Sequence, residues 1–437
     1  MAKISRRRFV AMGALAVASE VSGRTASSKG GAPAIRAGDR ARAKPRSALA
    51  EAFDSEMETF MTARGIPGGA LAVVRNHRLA YSRGYGLANR EQAIQAAPST
   101  LFRIASLSKP ITALALMKLV EEGQVELDRP ALEILRPEVL AETRQKSATD
   151  PRLHRVTIRH LLHHTGGWDR SQSFDPMFQS SRIASALGAP RPASAEAVIR
   201  FMETQPLDFD PGARYAYSNF GYCLLGRIIE KMSGQPYERF VKDRMLTPLG
   251  IQKMRLGATL LTRAAPGESR YYEAEGHLVE SVFPDSAEKV PRPYGGFCLE
   301  SMDAHGGWIA SVEDLAKFAA AFSVPQRWRL LKPPSLRILD EPPPPPAWRR
   351  PDGRLEAAYY GLGWMVRPVG RDGKANYWHA GSLPGTSSLL VRRWDGLSWA
   401  VLFNKRSDDP LHPDNAIDRA LHRAADAVTE WPIGKVL

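Results

Sequence analysis

Leu101–Gly123, LFRIASLSKPITALALMKLVEEG, is the stretch around which the rest of the chain is organised. It contains Ser106-Leu107-Ser108-Lys109, an S-x-x-K step that puts a hydroxyl and an amine on one face of a helix start. Thr112 and Lys118 are the only polar side chains between Ile111 and Val120. A helix apolar nearly all round lies inside a protein, not on its surface. Glu121 and Glu122 then meet solvent, and Gly123 supplies a C-terminal cap. A serine and a lysine therefore sit where a central helix leaves the core. The free N–H groups and dipole of that helix start favour negative charge, such as a developing oxyanion.

S-x-x-K is short enough to occur roughly once by chance in a chain this long. A second copy, Ser286-Ala287-Glu288-Lys289, lies in the polar stretch FPDSAEKVPRP, flanked by prolines and without helical periodicity. It reads as loop. Only the first copy has the setting that nucleophilic chemistry requires.

At 437 residues the chain has room for one large domain, or two closely packed ones, with a substantial core. The formal charge of +14 is concentrated at one end. Residues 1–50 hold eleven Lys/Arg and two Asp/Glu, so nine of the fourteen charges lie there. No basic run interleaved with aromatics follows, and no nucleic-acid partner is expected. Residues 1–46 read as an export signal and linker. Ser5-Arg6-Arg7-Arg8-Phe9-Val10 followed by Ala11–Ala18 resembles a twin-arginine signal, with Ala16-Val17-Ala18 as a candidate cleavage site. The apolar run is too short to span a bilayer, and no cysteine follows it to carry a lipid. The expectation is an exported, periplasmic or secreted protein without stable membrane insertion.

Apolar residues at Leu49, Phe53, Met57 and Phe60 predict an amphipathic helix ended by Gly65. Gly69–Arg75 and Arg78–Gly84 predict a strand pair turning at Asn76-His77. Helices are expected over Val156–His164, Ala195–Thr204, Phe220–Ser233 and Tyr237–Met245. Strands are expected over Gly361–Arg367, Ala375–His379, Ser387–Arg393 and Leu397–Asn404, with hairpin turns at Asp372-Gly373 and Asp395-Gly396. Ile417–Val428 closes the chain as an amphipathic helix. The fold class is therefore α+β: one antiparallel sheet built from both chain ends and flanked by the terminal helices, with a large, mostly helical insertion. The expected organisation is one domain over 47–437, its sheet part at 47–105 and 355–437 and its helical part at 106–354.

Three short motifs carry the chemistry. Ser106-x-x-Lys109 opens the central helix, Tyr217-Ser218-Asn219 precedes another helix, and His379-Ala380-Gly381-Ser382 ends a predicted strand. A serine hydroxyl needs a base before it attacks, and acyl transfer needs N–H donors for the oxyanion. Lys109 and Tyr217 are both candidates for the base, and either needs its pKa lowered by burial or neighbouring positive charge.

In the order and spacing of these motifs the chain resembles the class C β-lactamase-like serine hydrolases, which include penicillin-binding-protein-like carboxypeptidases, aminopeptidases and esterases. The likeness runs from about Ser47 to the last helix. Gly84-Tyr85-Gly86, Leu161-Leu162-His163-His164-Thr165-Gly166-Gly167 and His305-Gly306-Gly307-Trp308 add to it. The resemblance implies a β-lactamase/transpeptidase-like fold and an acyl-enzyme on Ser106. Lys109 would be its partner and Tyr217 the general base and leaving-group acid. The N–H groups of Ser106 and Ser382 would form the oxyanion hole, and Asn219, His379 and Gly381 would bind substrate. The implied reaction is cleavage of an ester, amide or D-amino-acid peptide bond in a small-molecule or peptide acyl substrate. A true β-lactamase and a non-catalytic penicillin- or peptidoglycan-binding protein are the alternatives.

One departure bears on that choice. His379 stands where true class C β-lactamases have lysine, and histidine near neutrality is only partly charged. It is therefore a weaker partner for a substrate carboxylate. No cofactor or metal is expected: His160 and His164 stand i, i+4 but lack the Glu of an H-E-x-x-H site. Trp308, Trp364 and Trp378 read as core. Cys223 and Cys298 are expected to be free thiols.

Overall fold

The computed structural model describes residues 47–135, 150–273, 276–286, 288–323, 330–370, 373–406 and 413–437. The export segment read over residues 1–46 lies outside the described residues, as do Asp372 of one hairpin turn and Ala287 of the second S-x-x-K copy.

The main sheet runs Lys435–Val436, Arg78–Asn89, Gly68–Arg75, Leu397–Phe403, Thr386–Arg392, Lys374–Leu383, Met365–Val369, Tyr359–Tyr360 in spatial order. The N-terminal strand Gly68–Arg75 joins the C-terminal strand Leu397–Phe403 antiparallel, with Ala72 opposite Ala400. The two chain ends thus build one sheet, as the strands expected at both ends around a helical middle predict. The Asn76-His77 turn has φ of 47° and 58°, the left-handed pair that a two-residue hairpin requires.

Side-chain alternation gives the sheet two buried faces. Leu71, Val73, Leu389, Val391, Trp399 and Val401 point towards the terminal helices Ala48–Arg64 and Pro413–Ala427, packing on Phe53, Met57, Ile417 and Leu421. Ala70, Ala72, Val74, Leu390, Ala400 and Leu402 face the other way, into the larger core shared with the central helix. That helix, Ser108–Glu121, is buried from Ser108 through Met117. Among its buried polar residues, Thr112 bonds the Ala304 carbonyl at 2.5 Å and the Tyr237 hydroxyl at 2.6 Å.

Several elements differ from the sequence expectation. The helix expected over Val156–His164 shrinks to Ile158–Leu162, because Thr157 caps it in a reciprocal box with His160 and His164 turns left-handed at φ 59°. The strand expected over Gly361–Arg367 begins only at Met365. Gly363, at φ 84°, packs its bare Cα against Pro110 and Ala113 of the central helix, so this segment turns there. The strand expected to end at His379 continues to Leu383, carrying the whole motif inside the sheet. In the second S-x-x-K copy, Ser286 lies in a bend and Lys289 opens the short strand Lys289–Pro291, not a helix.

Trp308 and Trp364 are fully buried, and Trp378 packs against the cluster under the terminal helices. Cys223 and Cys298 are both buried and free. No helix among the described residues is long and apolar enough to cross a membrane.

Candidate active site

Ser106 is presented by a tight turn. Ala105, just before it, holds φ at 48°, a left-handed conformation that costs a non-glycine residue about 1–2 kcal/mol. Neighbouring hydroxyls fix that turn: Ser108 Oγ donates to the Ala105 carbonyl at 2.7 Å, and Ser388 Oγ to the Ile104 carbonyl at 2.8 Å. A short 3₁₀ segment, Ala105–Leu107, then feeds the central helix at Ser108. Strain of this kind concentrates at functional sites.

The three motifs converge on this serine. Lys109 Nζ lies 3.1 Å from Ser106 Oγ, 2.8 Å from Asn219 Oδ1 and 2.9 Å from the His305 carbonyl. The Tyr217 hydroxyl donates to Ser106 Oγ at 2.8 Å. Asn219 opens the helix Asn219–Ser233, capped by Ser218 Oγ, and its Nδ2 donates to Asp175 Oδ2 at 2.6 Å. Both ends of the Asn219 amide therefore have protein partners.

Burial sets the charge states. It pushes Lys109 well below its ordinary value, with Asp175 opposing and Arg170 assisting. It raises the Tyr217 phenol above its ordinary value, only partly offset by the bond to Ser106; this corrects the expectation that burial could lower it, because burial disfavours the charged phenolate. Of the two candidate bases, Lys109 is thus the one that burial moves towards its neutral form. A neutral amine has two N–H donors, which Asn219 and His305 accept, and a lone pair that remains for the Ser106 hydroxyl proton.

His379 is 4% exposed, with Nε2 at 2.9 Å from the Tyr360 hydroxyl and Nδ1 at 2.7 Å from the Ala380 carbonyl. Burial and the charge of Lys109 lower its pKa to about 3. The partial charge expected of this residue is corrected here: near neutrality the ring is neutral. His160 and His164 do not face a shared ligand. His160 Nδ1 accepts from Thr157 N at 3.2 Å, whereas His164 Nδ1 accepts from Ser218 N at 3.1 Å. The His164 ring packs on Tyr217 at 4.4 Å, on Tyr360 at 4.5 Å and on Tyr222 at 5.0 Å.

Ser106 opens into a cavity of about 380 Å³. Asn219 and Ser382 line it, and neither His379 nor Gly381 does. Gly381 lies beneath Ser106 instead: a Cβ there would collide with Ser388 Oγ and the Ile104 carbonyl and come within 3.1 Å of Ser106 N. The cavity's cations are Arg170, Arg292 and Arg406, with Asp175 as its carboxylate. None of the four was read from the sequence: Arg170 and Asp175 share the loop between Leu162 and Pro176, Arg292 opens a short turn and Arg406 follows the strand Leu397–Phe403, none with a motif of its own.

The Beta-lactamase family model matches residues 53–424. Among curated relatives, Esterase EstB of Burkholderia gladioli is 32% identical over 207 residues, covering 47% of this chain and 50% of that protein. A putative D-alanyl-D-alanine carboxypeptidase of Escherichia coli (strain K12) is 28% identical over 267 residues, covering 58% of this chain and 59% of that one. The match thus spans half to three fifths of the length of these two relatives. Among solved structures, the octameric penicillin-binding protein homologue from Pyrococcus abyssi superposes with TM-score 0.65 at 26% identity, over 87% of this chain and 78% of that one. The D-amino acid amidase from Ochrobactrum anthropi SV3 superposes with TM-score 0.65 at 23% identity, over 87% and 99%, a likeness of fold.

Proposed function

This chain belongs to the Beta-lactamase family, and from that premise we propose that it is a serine hydrolase working through an acyl-enzyme on Ser106. The observation that carries the proposal is the pair of contacts on one hydroxyl oxygen: Lys109 Nζ at 3.1 Å and the Tyr217 hydroxyl at 2.8 Å, at the edge of an open cavity. The bond cleaved is an ester, an amide or a D-amino-acid peptide bond, in keeping with the names of the relatives.

In this reading neutral Lys109 takes the Ser106 proton as Oγ attacks the acyl carbon. The N–H groups of Ser106 and Ser382 receive the oxyanion. As the tetrahedral species collapses, the Tyr217 hydroxyl protonates the leaving group. The resulting phenolate is sheltered by Lys109 Nζ at 4.7 Å and Arg170 Cζ at 4.9 Å from its ring centroid. It then takes a proton from the hydrolytic water. Lys109 returns its proton to Oγ as the acid departs, and every group regains its starting state. His379 and Gly381 shape the wall behind the serine, and Asn219 holds Lys109 as well as facing substrate.

Residues 47–437 serve as one catalytic domain, and residues 1–46 as a twin-arginine export segment and linker that deliver it to the periplasm or beyond. The test of the activity is hydrolysis of p-nitrophenyl acetate by the wild type, Ser106→Ala and Ser286→Ala. Loss of about 10³-fold or more in kcat is expected for Ser106→Ala alone. Equal activity of Ser106→Ala and wild type would overturn the proposal.

A further inference from the structure

Six side chains, Ser106 among them, close into a ring. Lys109 Nζ reaches Ser106 Oγ and, at 2.8 Å, Asn219 Oδ1. Asn219 Nδ2 donates to Asp175 Oδ2 at 2.6 Å, and the same carboxylate oxygen lies 3.9 Å from a guanidinium nitrogen of Arg170. Arg170 Cζ stands 4.9 Å from the centroid of the Tyr217 ring, and the Tyr217 hydroxyl returns to Ser106 Oγ. Four members belong to the sequence motifs. Arg170 and Asp175 do not, and the mechanism above leaves Asp175 without a role.

We infer that Arg170 and Asp175 are positioning residues for acyl transfer, a charge pair that holds Lys109 through Asn219 and Tyr217 through its ring. The inference rests on the serine-hydrolase reading of this site.

A simpler role for Asp175 exists, because its Oδ1 accepts from Met177 N at 3.2 Å and caps the turn Pro176–Phe178. That cap uses one oxygen. It does not account for the second oxygen, turned to Asn219 and facing Arg170. Arg170 has a half-exposed side chain and would cost nothing in solvent, yet it lies over the one phenol that touches Ser106. Cation–π contact over a ring that becomes a phenolate strengthens as the charge develops.

The pair also acts on Lys109 with opposite signs. Asp175 favours its ammonium form and Arg170 disfavours it. The other groups facing Lys109 are the Tyr217 and Tyr222 rings, 4.7 and 5.7 Å from Nζ, and the buried histidines His164, His305 and His379. Burial keeps all five neutral. Asp175 and Arg170 are therefore the charges whose removal should retune the amine. Without Asp175 the ammonium loses support and Lys109 becomes neutral at lower pH. Without Arg170 it becomes neutral at higher pH.

The experiment follows fluorophosphonate labelling of Ser106 from pH 4 to 9 in the full chain, comparing wild type, Asp175→Asn, Arg170→Gln and Arg170→Lys. Asparagine preserves the turn cap, and Arg170 is exposed enough to replace; circular dichroism and melting curves check the fold. Each rate is expressed as a fraction of that protein's own plateau. Relative to wild type, Asp175→Asn should reach half-plateau at lower pH and Arg170→Gln at higher pH, by about half a unit or more. Arg170→Lys should return towards wild type. A purely structural role would lower the plateau and leave the midpoint in place, and midpoints unchanged or displaced in the same direction overturn the inference. If wild type does not label at Ser106 at any pH, the hydrolase reading falls and this inference with it. Labelling with unmoved midpoints removes the inference alone.

Discussion

The Tyr217 hydroxyl donates to Ser106 Oγ across 2.8 Å, joining two residues 111 positions apart in the chain. Burial holds that phenol protonated, and in the proposed mechanism it gives its proton to the leaving group. Tyr217→Phe keeps the ring that packs on His164 and removes only the donor. We expect kcat for p-nitrophenyl esters to fall by about 10²–10⁴ with KM nearly unchanged. A raised KM at constant kcat would take Tyr217 out of proton transfer.

Four histidines, His163, His164, His305 and His379, are buried and neutral in the folded chain, and this gives stability a pH signature. Burial lowers His163 to about 4 and His379 to about 3, and moves His164 and His305 well below the ordinary 6.5. Their folded values lie below their unfolded ones, so between the two the unfolded chain binds the extra protons. Their contribution is complete above pH about 6.5 and is lost as pH falls through 5 towards 4 and 3. Each histidine should remove about 1.4 kcal/mol per pH unit in that window. Urea midpoints at pH 7.5, 6.5, 5.5 and 4.5 measure it. Steady values down to 6.5 and a steep decline below are expected; a flat profile to pH 4.5 contradicts it.

Gly381 sits where no side chain fits. An added methyl would press on Ser388 Oγ, the Ile104 carbonyl and Ser106 N. Gly381→Ala should therefore destabilise by about 1–3 kcal/mol through overpacking. Because the pressure falls on the turn that carries the nucleophile, kcat should fall as well. Melting temperature and ester turnover are read together, and a variant unchanged in both would show that the strand and turn move apart freely.

Cys223 and Cys298 are buried and unpaired, and burial raises the Cys223 thiol to about 12. Ellman's reagent should find almost no reactive thiol in the folded protein and two after denaturation without reductant. None after denaturation would establish a disulfide.

Much of this was legible in the sequence, for identifiable reasons. The central helix announced itself because its burial is all-round and its polar exceptions are few. The sheet was readable because short strand-like runs stand at both chain ends around a helical middle, and the turns at Asn76-His77 and Asp395-Gly396 have their own chemistry. Ser106, Lys109, Tyr217 and Asn219 were readable because each sits at a motif. The protonation states were not, since they depend on how deeply Lys109 and His379 are buried, and burial comes from residues far away in the chain. Arg170, Asp175, Arg292 and Arg406 were hidden for the same reason: an isolated charge in a loop looks like any solvated charge until the fold turns it towards the serine.

The most direct test of the central claim is intact and peptide mass spectrometry after exposure to a fluorophosphonate. The account predicts a single adduct on Ser106, absent from Ser106→Ala and retained in Ser286→Ala. An adduct on Ser286, or a folded protein that takes up none, would contradict it.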